Sequence, residues 1–466
     1  MRGLCLVAVM AMAVSMAGAQ LDVDALAEAY RAFDMERNEG MGHSDKPDSG
    51  SLGWGEGGII ESYARMWEVT GDTYWLEKTR DHFRRIMGNA SDPDGDGYLS
   101  WQTTTYSTAI AWAERLHNVS DAQIQPPHQK QMSGKEAAKA TGHTYLIEFP
   151  ESPQALRIVD WTTREVVAED VPYEDGAAIT LIEPFSVTIS GATHQGDRFM
   201  VRTQQAQPLE FTVHQGMFIY PVALFIEAVK TTPELQEEFG EDAETFLQFI
   251  NTHLFEKNER DWLDMGELGG GYRFEPKITD RYPNRIMPHN QYGALARAWL
   301  VLAEVEGAHP LMAQRAEQMC QYFRSYLELD EDHDAWRWHY WDWTEYGEPD
   351  HSGWEDTSHG HIDVSLAVEA ARRGVVFTDA DMRRFVNTWL EVMWNGDEET
   401  PRMAHRVAED ENFRHSALLR SWTELAQWDR RVYELALTEF QNKDAEGQAA
   451  WAPAMLLCAS RAGALQ

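Results

Sequence analysis

Four stretches of this chain repeat one layout, and that repetition limits the fold more than any other feature. They are GGIIESYARMWEVTGDTYWLEKTRDHFRRIM from Gly57, GMFIYPVALFIEAVKTTPELQEEFGEDAETFLQFINTHL from Gly216, QYGALARAWLVLAEVEGAHPLMAQRAEQMCQYFRSYL from Gln291 and HIDVSLAVEAARRGVVFTDADMRRFVNTWLEVMW from His361. Each reads as a helix, a short turn and a second helix. The first helix is apolar on nearly every side, and the second has a polar face. A helix apolar all round is buried, and one with a stripe covers it from outside. Units that cannot bury their own faces stack on one another. TTTYSTAIAWAERL from Thr103 and RHSALLRSWTELAQWD from Arg414 read as two further inner helices, and LDVDALAEAYRAFDMERNE as an outer one. The expectation is a mainly α chain, an (α/α)6 toroid of six inner and six outer helices, with an open solenoid as the alternative.

Between Asn118 and His214 the periodicity changes. HTYLIEF, ALRIVDW, REVVAE, AAITLIE, FSVTIS and DRFMVRTQ alternate apolar and polar residues between turn residues. Short strands at that spacing predict a small inserted β-sandwich-like domain. The expected organisation is a signal peptide over 1–19, helical regions over 20–118 and 214–466, and the β-rich insert over 119–213.

The leader MRGLCLVAVMAMAVSMAGAQ has a basic start, a short apolar run and small residues before Gln20. It reads as a secretory signal, which places the protein in the periplasm or outside the cell. No later stretch reads as a membrane span. Cys320 and Cys458 sit in helical patterns and read as buried free thiols. The formal charge of −36 argues against nucleic acid or an anionic membrane as partner. Against that background, basic clusters become informative.

If the inner helices run one way, their N-termini meet at one end. Those starts carry Trp54 and Glu56, then Tyr106, His214, His289-Asn290 with Tyr292, His359 and His361, and Arg414-His415. Helix N-termini present unpaired N–H groups and positive dipole ends, which suit a carboxylate. GYRFEPKITDRYPNRIMPHNQY brings Arg281 and Arg285 to the same place. AWRWHYWDWTEYGEPDHSGW adds Trp338, Tyr340 and Trp354, rings able to line a sugar groove.

With HNQY and SHGHID, this layout resembles the (α/α)6-toroid enzymes of acidic polysaccharides. That group includes alginate-lyase-like and heparinase-like lyases, unsaturated-uronide hydrolases and sugar epimerases. The resemblance implies a secreted lyase that cleaves a uronic-acid-containing polysaccharide or oligosaccharide by β-elimination. Asn290 and Arg285 would neutralise the carboxylate, His289, His359 or His361 would act as base, and Tyr292, Tyr106 or Tyr340 as acid. Arg281, His214, Glu56, Trp54, Trp338 and Trp354 would hold substrate.

Other readings compete. A glycoside hydrolase would use Glu56, Glu355 and Asp356 as carboxylates. An epimerase would use paired histidines, and a noncatalytic protein would bind sugar through the β-insert. No cofactor is required for the lyase, yet Glu355, His359 and His361 could hold Zn²⁺ or Mn²⁺. DPDGDGYLSW sets Asp92, Asp94 and Asp96 as in the start of a calcium loop, although Thr103 stands at the twelfth position. In GWEDTSHGHIDV, Ser358 reads as the helix cap and Asp363 as a residue of its first turns.

Overall fold

The structure is a computed structural model that describes residues 21–125, 130–131, 141–182, 185–277, 282–343, 350–408 and 410–465. The expected signal peptide and Arg281 lie outside the described residues. The chain divides into two compact units. One holds the chain up to Trp101, Phe211–Arg273 and everything from Arg285; the other holds Gln102–Glu210 and Phe274–Asn284.

The first unit is mostly helical: α1 (Val23–Met35), α2 (Gly57–Thr70), α3 (Tyr74–Gly88), α4 (Thr212–Thr231), α5 (Gln236–Phe249), α6 (His289–Leu302), α7 (Met312–Ser325), α8 (Thr357–Arg372), α9 (Asp379–Asn387), α10 (Arg420–Glu424), α11 (Arg430–Gln441) and α12 (Ala445–Arg461). Helix α4 is buried continuously from Thr212 to Ala223, and every residue of α6 except Gln291 is buried. Such helices need neighbours on all sides. Thus α2 packs on α4, α4 on α6, α6 on α8, α8 on α10, α10 on α12 and α12 on α2. Striped helices cover them, with α3 on α2, α5 on α4, α7 on α6, α9 on α8, and α1 and α11 on α12. By length and composition α4 could cross a membrane, but 83% of its apolar window is buried inside the protein. Gly216 permits the α4–α6 approach, since a Cβ there would collide with the Ala294 backbone.

The second unit has strands β1 (Thr108–Arg115), β2 (Gln123–Gln125), β3 (Lys130–Gln131), β4 (Thr144–Ser152), β5 (Ala155–Asp160), β6 (Glu165–Pro172), β7 (Ala178–Ile182), β8 (Phe185–Ser190) and β9 (Arg198–Gln204). They form one sheet in the order β3-β1-β9-β4-β5-β6 and another in the order β2-β8-β7. Inward residues such as Ile147, Phe149, Leu156, Phe185, Ile189 and Phe199 make its core. The first unit adds two-residue to four-residue strands paired antiparallel: β10 (Trp262–Asp264) with β11 (Gly270–Tyr272), β12 (Glu328–Asp330) with β13 (Ala335–Arg337), β14 (Asp342–Trp343) with β15 (Asp350–His351), and β16 (Arg402–Ala404) with β17 (Phe413–Ser416).

These strands correct the expected toroid of six inner and six outer helices. The segment read as the second inner helix is β1, paired with β9 through Ala111↔Thr203 and Ala113↔Val201. Its alanines suit a helix, but the alternating burial of a sheet face prevails over propensity. The segment read as a helix starting at Arg414 opens as β17, and the helix that follows is the five-residue α10. Strand is spread over several small sheets, and no toroid is carried forward.

Candidate functional site

Helix α8 begins on Asp356, not Ser358. The Asp356 carboxylate accepts from Ser358 N at 2.9 Å and His359 N at 3.0 Å, an N-cap on two otherwise orphan donors. Its other oxygen meets His359 Nδ1 at 2.5 Å. Burial opposes charge on His359, but this carboxylate outweighs it and holds the imidazole above its ordinary range. Behind the cap, Glu355 and Asp363 are wholly buried carboxyls that raise each other's cost of ionisation, and among the described residues Glu355 Oε2 and Asp363 Oδ1 have no other hydrogen-bond partner. Burial first, then mutual repulsion, pushes Glu355 well up, and burial pushes Asp363 up to about 6. Two carboxyls so placed share one proton near neutrality. Trp338 Nε1 donates to Asp363 at 3.0 Å and fixes the pair from below.

Deeper in the first unit sits a group of cations. Arg297, on α6, has no exposed surface. Its Nη1 donates to Ser365 Oγ at 3.0 Å, its Nη2 reaches Met217 Sδ at 3.5 Å, and its face lies 4.4 Å from the Tyr220 ring. Among the described residues no carboxylate lies within ion-pair distance of it, and its Nε has no hydrogen-bond partner. Burial pulls its pKa down, with Glu61 opposing from a distance. His361, one helical turn from Ser365 on α8, is 8% exposed, and its Nδ1 is also without a partner. Burial, then the charges of Arg420 and Arg297, keep His361 neutral. Arg420 lies across Gly58, where any Cβ would collide with the guanidinium, and approaches Glu61 at 3.5 Å. At the start of α6, Asn290 Oδ1 and Gln291 Oε1 are buried without partners. Buried polar atoms of this kind are met by water, an ion or a ligand.

The hairpin β16–β17 is stitched to the start of α8 by Thr357 N to His405 O at 2.8 Å and Val407 N to Glu355 O at 3.1 Å. It carries His405, whose Nδ1 lies 3.3 Å from His415 Nε2 and 2.8 Å from Arg414 Nη2. Burial, His405 and Arg414 all hold His415 below its ordinary range, against a weaker pull from Asp356.

The other expected residues separate. His289 uses both ring nitrogens, with Tyr292 at 2.6 Å and Asp342 at 2.8 Å, and all three are buried. That is a lock on α6, and burial raises the Tyr292 pKa well above its usual value. His214 Nδ1 meets Ser49 Oγ at 3.0 Å, and burial lowers its pKa to about 4. Glu56 is bound to His82 and accepts from His43 N at 2.6 Å, which ties down the loop before α2. Trp338 has no exposed surface, so it is no groove wall. Trp354 stacks on His339 at 4.2 Å, and Arg285 lies 4.8 Å from the Trp343 ring. Trp54 (41% exposed) and Tyr340 flank His359, with ring centroids 6.1 and 5.5 Å away. Tyr106 belongs to the second unit and is not at a helix start.

The carboxylate and imidazole atoms within 4.8 Å of one another are those of Glu355, Asp356 and His359, with Asp356 in the place expected for His361. Asp356 is spent on the cap and on His359, and Glu355 on Asp363 and the Asp356 N–H. Three ligand atoms come together here, with Glu355 Oε2 left without a further partner among the described residues, whereas a structural Zn²⁺ site takes four. Asp92 likewise accepts from Asp96 N and Gly97 N, while Asp96 pairs with Arg260 at 2.7 Å. Sequence reasoning missed Arg297 and Arg420. The signal for Arg297 was a lone arginine inside YGALARAWLVLAEV, a helix apolar on every other side.

No protein-family model matches this chain, and no curated protein does. Solved structures that match include FlgL of Xanthomonas campestris, at 12% identity and TM-score 0.16 over 48% of this chain and 85% of that one. The flagellar junction protein FlgL of Legionella pneumophila matches at 12% and 0.17, over 49% and 84%. Flagellar hook associated protein-3 of Legionella pneumophila matches at 11% and 0.17, over 51% and 96%. These are flagellar proteins, not carbohydrate enzymes. The expected resemblance to polysaccharide lyases is corrected, since no family model and no curated protein matches this chain and none of these structures is a carbohydrate enzyme. The lyase, hydrolase, epimerase and sugar-binding roles are withdrawn, with the acidic polysaccharide or oligosaccharide as substrate. TM-scores this low equally carry no argument from those proteins to this chain.

Proposed function

We propose that the first unit binds a small oxyanion, a carboxylate or phosphate, between Arg297, His361 and Arg420. The observation that carries this reading is the wholly buried Arg297 without an ion pair. A guanidinium out of water costs several kcal/mol unless a charge or good hydrogen bonds compensate it. A serine hydroxyl and a thioether compensate only part of that. A bound anion supplies the rest and takes hydrogen bonds from Arg297 Nε and His361. Export is retained from the leader, and placement in the periplasm or outside the cell belongs to this same proposal.

The test is urea unfolding followed by tryptophan fluorescence, with acetate, phosphate or methylammonium added at constant ionic strength in chloride. A ligand of the native state at 100 times its Kd stabilises by about 2.7 kcal/mol. Acetate or phosphate should raise the midpoint and methylammonium should not. Arg297→Met should remove the effect. No shift beyond chloride, or a shift that survives in Arg297→Met, overturns the proposal.

A further inference from the structure

We infer that the ligand carries two anionic groups, the second seated on the β16–β17 hairpin by Arg414, His405 and His415. This rests on the oxyanion reading of Arg297 and His361 and adds a second subsite to it. Three cation-forming side chains touch one another there, with separations of 2.8 and 3.3 Å. Among the described residues none of the three has a carboxylate within ion-pair distance, in a chain of formal charge −36. Arg402, on the same hairpin, is by contrast paired with Glu439 at 2.7 Å. Arg414 brings a guanidinium without a carboxylate partner to two imidazoles, and an anion there would take charge-assisted hydrogen bonds from Arg414 and favour protonation of the rings beside it. The hairpin lies at the start of α8, since its backbone bonds to Glu355 and Thr357, the residues that open that helix. His361 lies four residues further along that helix than Thr357, about 6 Å of axial rise inward. One short molecule with an anion at each end spans the two groups. Charged groups at the start of α8 include the Asp356–His359 pair, the buried Glu355 and Asp363, and Arg406, whose backbone bridges Asp356.

Calorimetric titration of the full chain with acetate, malonate, succinate, adipate, phosphate and pyrophosphate tests this. Carboxylate and phosphate sources are told apart by which series binds. At least one dianion should bind ten-fold or more tightly than its single-anion counterpart. Arg414→Ala combined with His405→Ala should abolish that gain and leave the affinity for acetate or phosphate unchanged. Circular dichroism of the variant reports that it is folded. Equal affinity for single and double anions, or a gain that survives the double substitution, overturns the second subsite while the inner site stands. Binding of none of the six compounds overturns both.

Discussion

Arg297→Met should make the protein more stable and abolish anion binding in one step. Met keeps most of the arginine stem, so the contacts of that stem with α4 and α8 are largely preserved. Three favourable interactions are lost: the bond to Ser365 at 3.0 Å, the weak one to Met217 at 3.5 Å and the stacking on Tyr220 at 4.4 Å. A charged hydrogen bond contributes about 1.5–3 kcal/mol, and a desolvated cation–π contact about 2 kcal/mol. Against them stands the desolvation of a guanidinium with no exposed surface and no ion pair. Replacing buried charges by apolar groups of like volume is often neutral or stabilising by about 1–4 kcal/mol. The removed charge also sits close enough to depress His361, so that imidazole's neutral form loses one of its constraints. Urea unfolding in chloride alone gives the comparison, read at constant slope against denaturant. Destabilisation by more than about 2 kcal/mol would refute the reasoning, because it would mean that Arg297 is adequately paired without a ligand.

His214 should titrate near pH 4 instead of 6.5, since burial depresses it. Its stabilising contribution is full above pH 6.5 and lost as pH falls towards 4, about 3 kcal/mol in all. His214→Gln should remove that share of the acid sensitivity, measured by urea unfolding at pH 7.5 and 4.5; an unchanged pH dependence would contradict it. Asp363 behaves oppositely: its pKa is raised to about 6, so the stability it contributes is present below its ordinary carboxyl range and lost as pH rises through 6. Asp363→Asn should therefore gain on the wild type as pH rises from 4 to 7, and infrared carboxyl bands should show the loss of one protonated acid at pH 5. Gly216→Ala should destabilise by about 1–3 kcal/mol, because the added methyl meets the α6 backbone; a midpoint within error of wild type would mean that the helices separate easily.

What could be read in the sequence was what periodicity encodes. Apolar positions on every side of YGALARAWLVLAEV and GMFIYPVALFIEAV predicted buried helices, and α6 and α4 are such helices. TTTYSTAIAWAERL failed because alanine and alternating polar residues satisfy a helix pattern and a strand pattern at once. Only the partner strand β9, far along the chain, decides between them. The histidines were found by type, but their roles were not legible. His289 and His361 occupy the same kind of helix start, yet Asp342 closes one and nothing among the described residues closes the other. Partners that come from distant elements leave no mark in a local motif. Arg297 shows the converse: one charged residue in an apolar helix is visible locally, and its meaning depends on the carboxylates of α2, α4 and α8 all lying beyond ion-pair distance of it among the described residues.

The C-terminal and N-terminal ends of the buried helices use arginine differently. At the C-terminal ends, Arg65, Arg372, Arg373 and Arg461 border a cavity of about 630 Å³. Each is paired: Arg65 and Arg372 with Glu424, Arg373 with Glu227, Glu304 and Glu369, and Arg461 with Glu68. Helix C-termini carry partial negative charge, so cations there are stabilised twice, by the dipoles and by the glutamates. At the N-terminal side Arg420 keeps one carboxylate, Glu61 at 3.5 Å, while Arg297 has none within ion-pair distance among the described residues. Tyr220 stands between the two regimes, its hydroxyl bound to Arg65 and Glu369 and its ring against Arg297. An anion arriving at the glutamate-lined end would meet carboxylates already holding their arginines. On the oxyanion reading, an anion beside Arg297 would compensate its charge and complete the hydrogen bonding of His361. Within the proposed oxyanion reading, the ligand therefore belongs with Arg297 and His361 and not with the paired arginines of the other end.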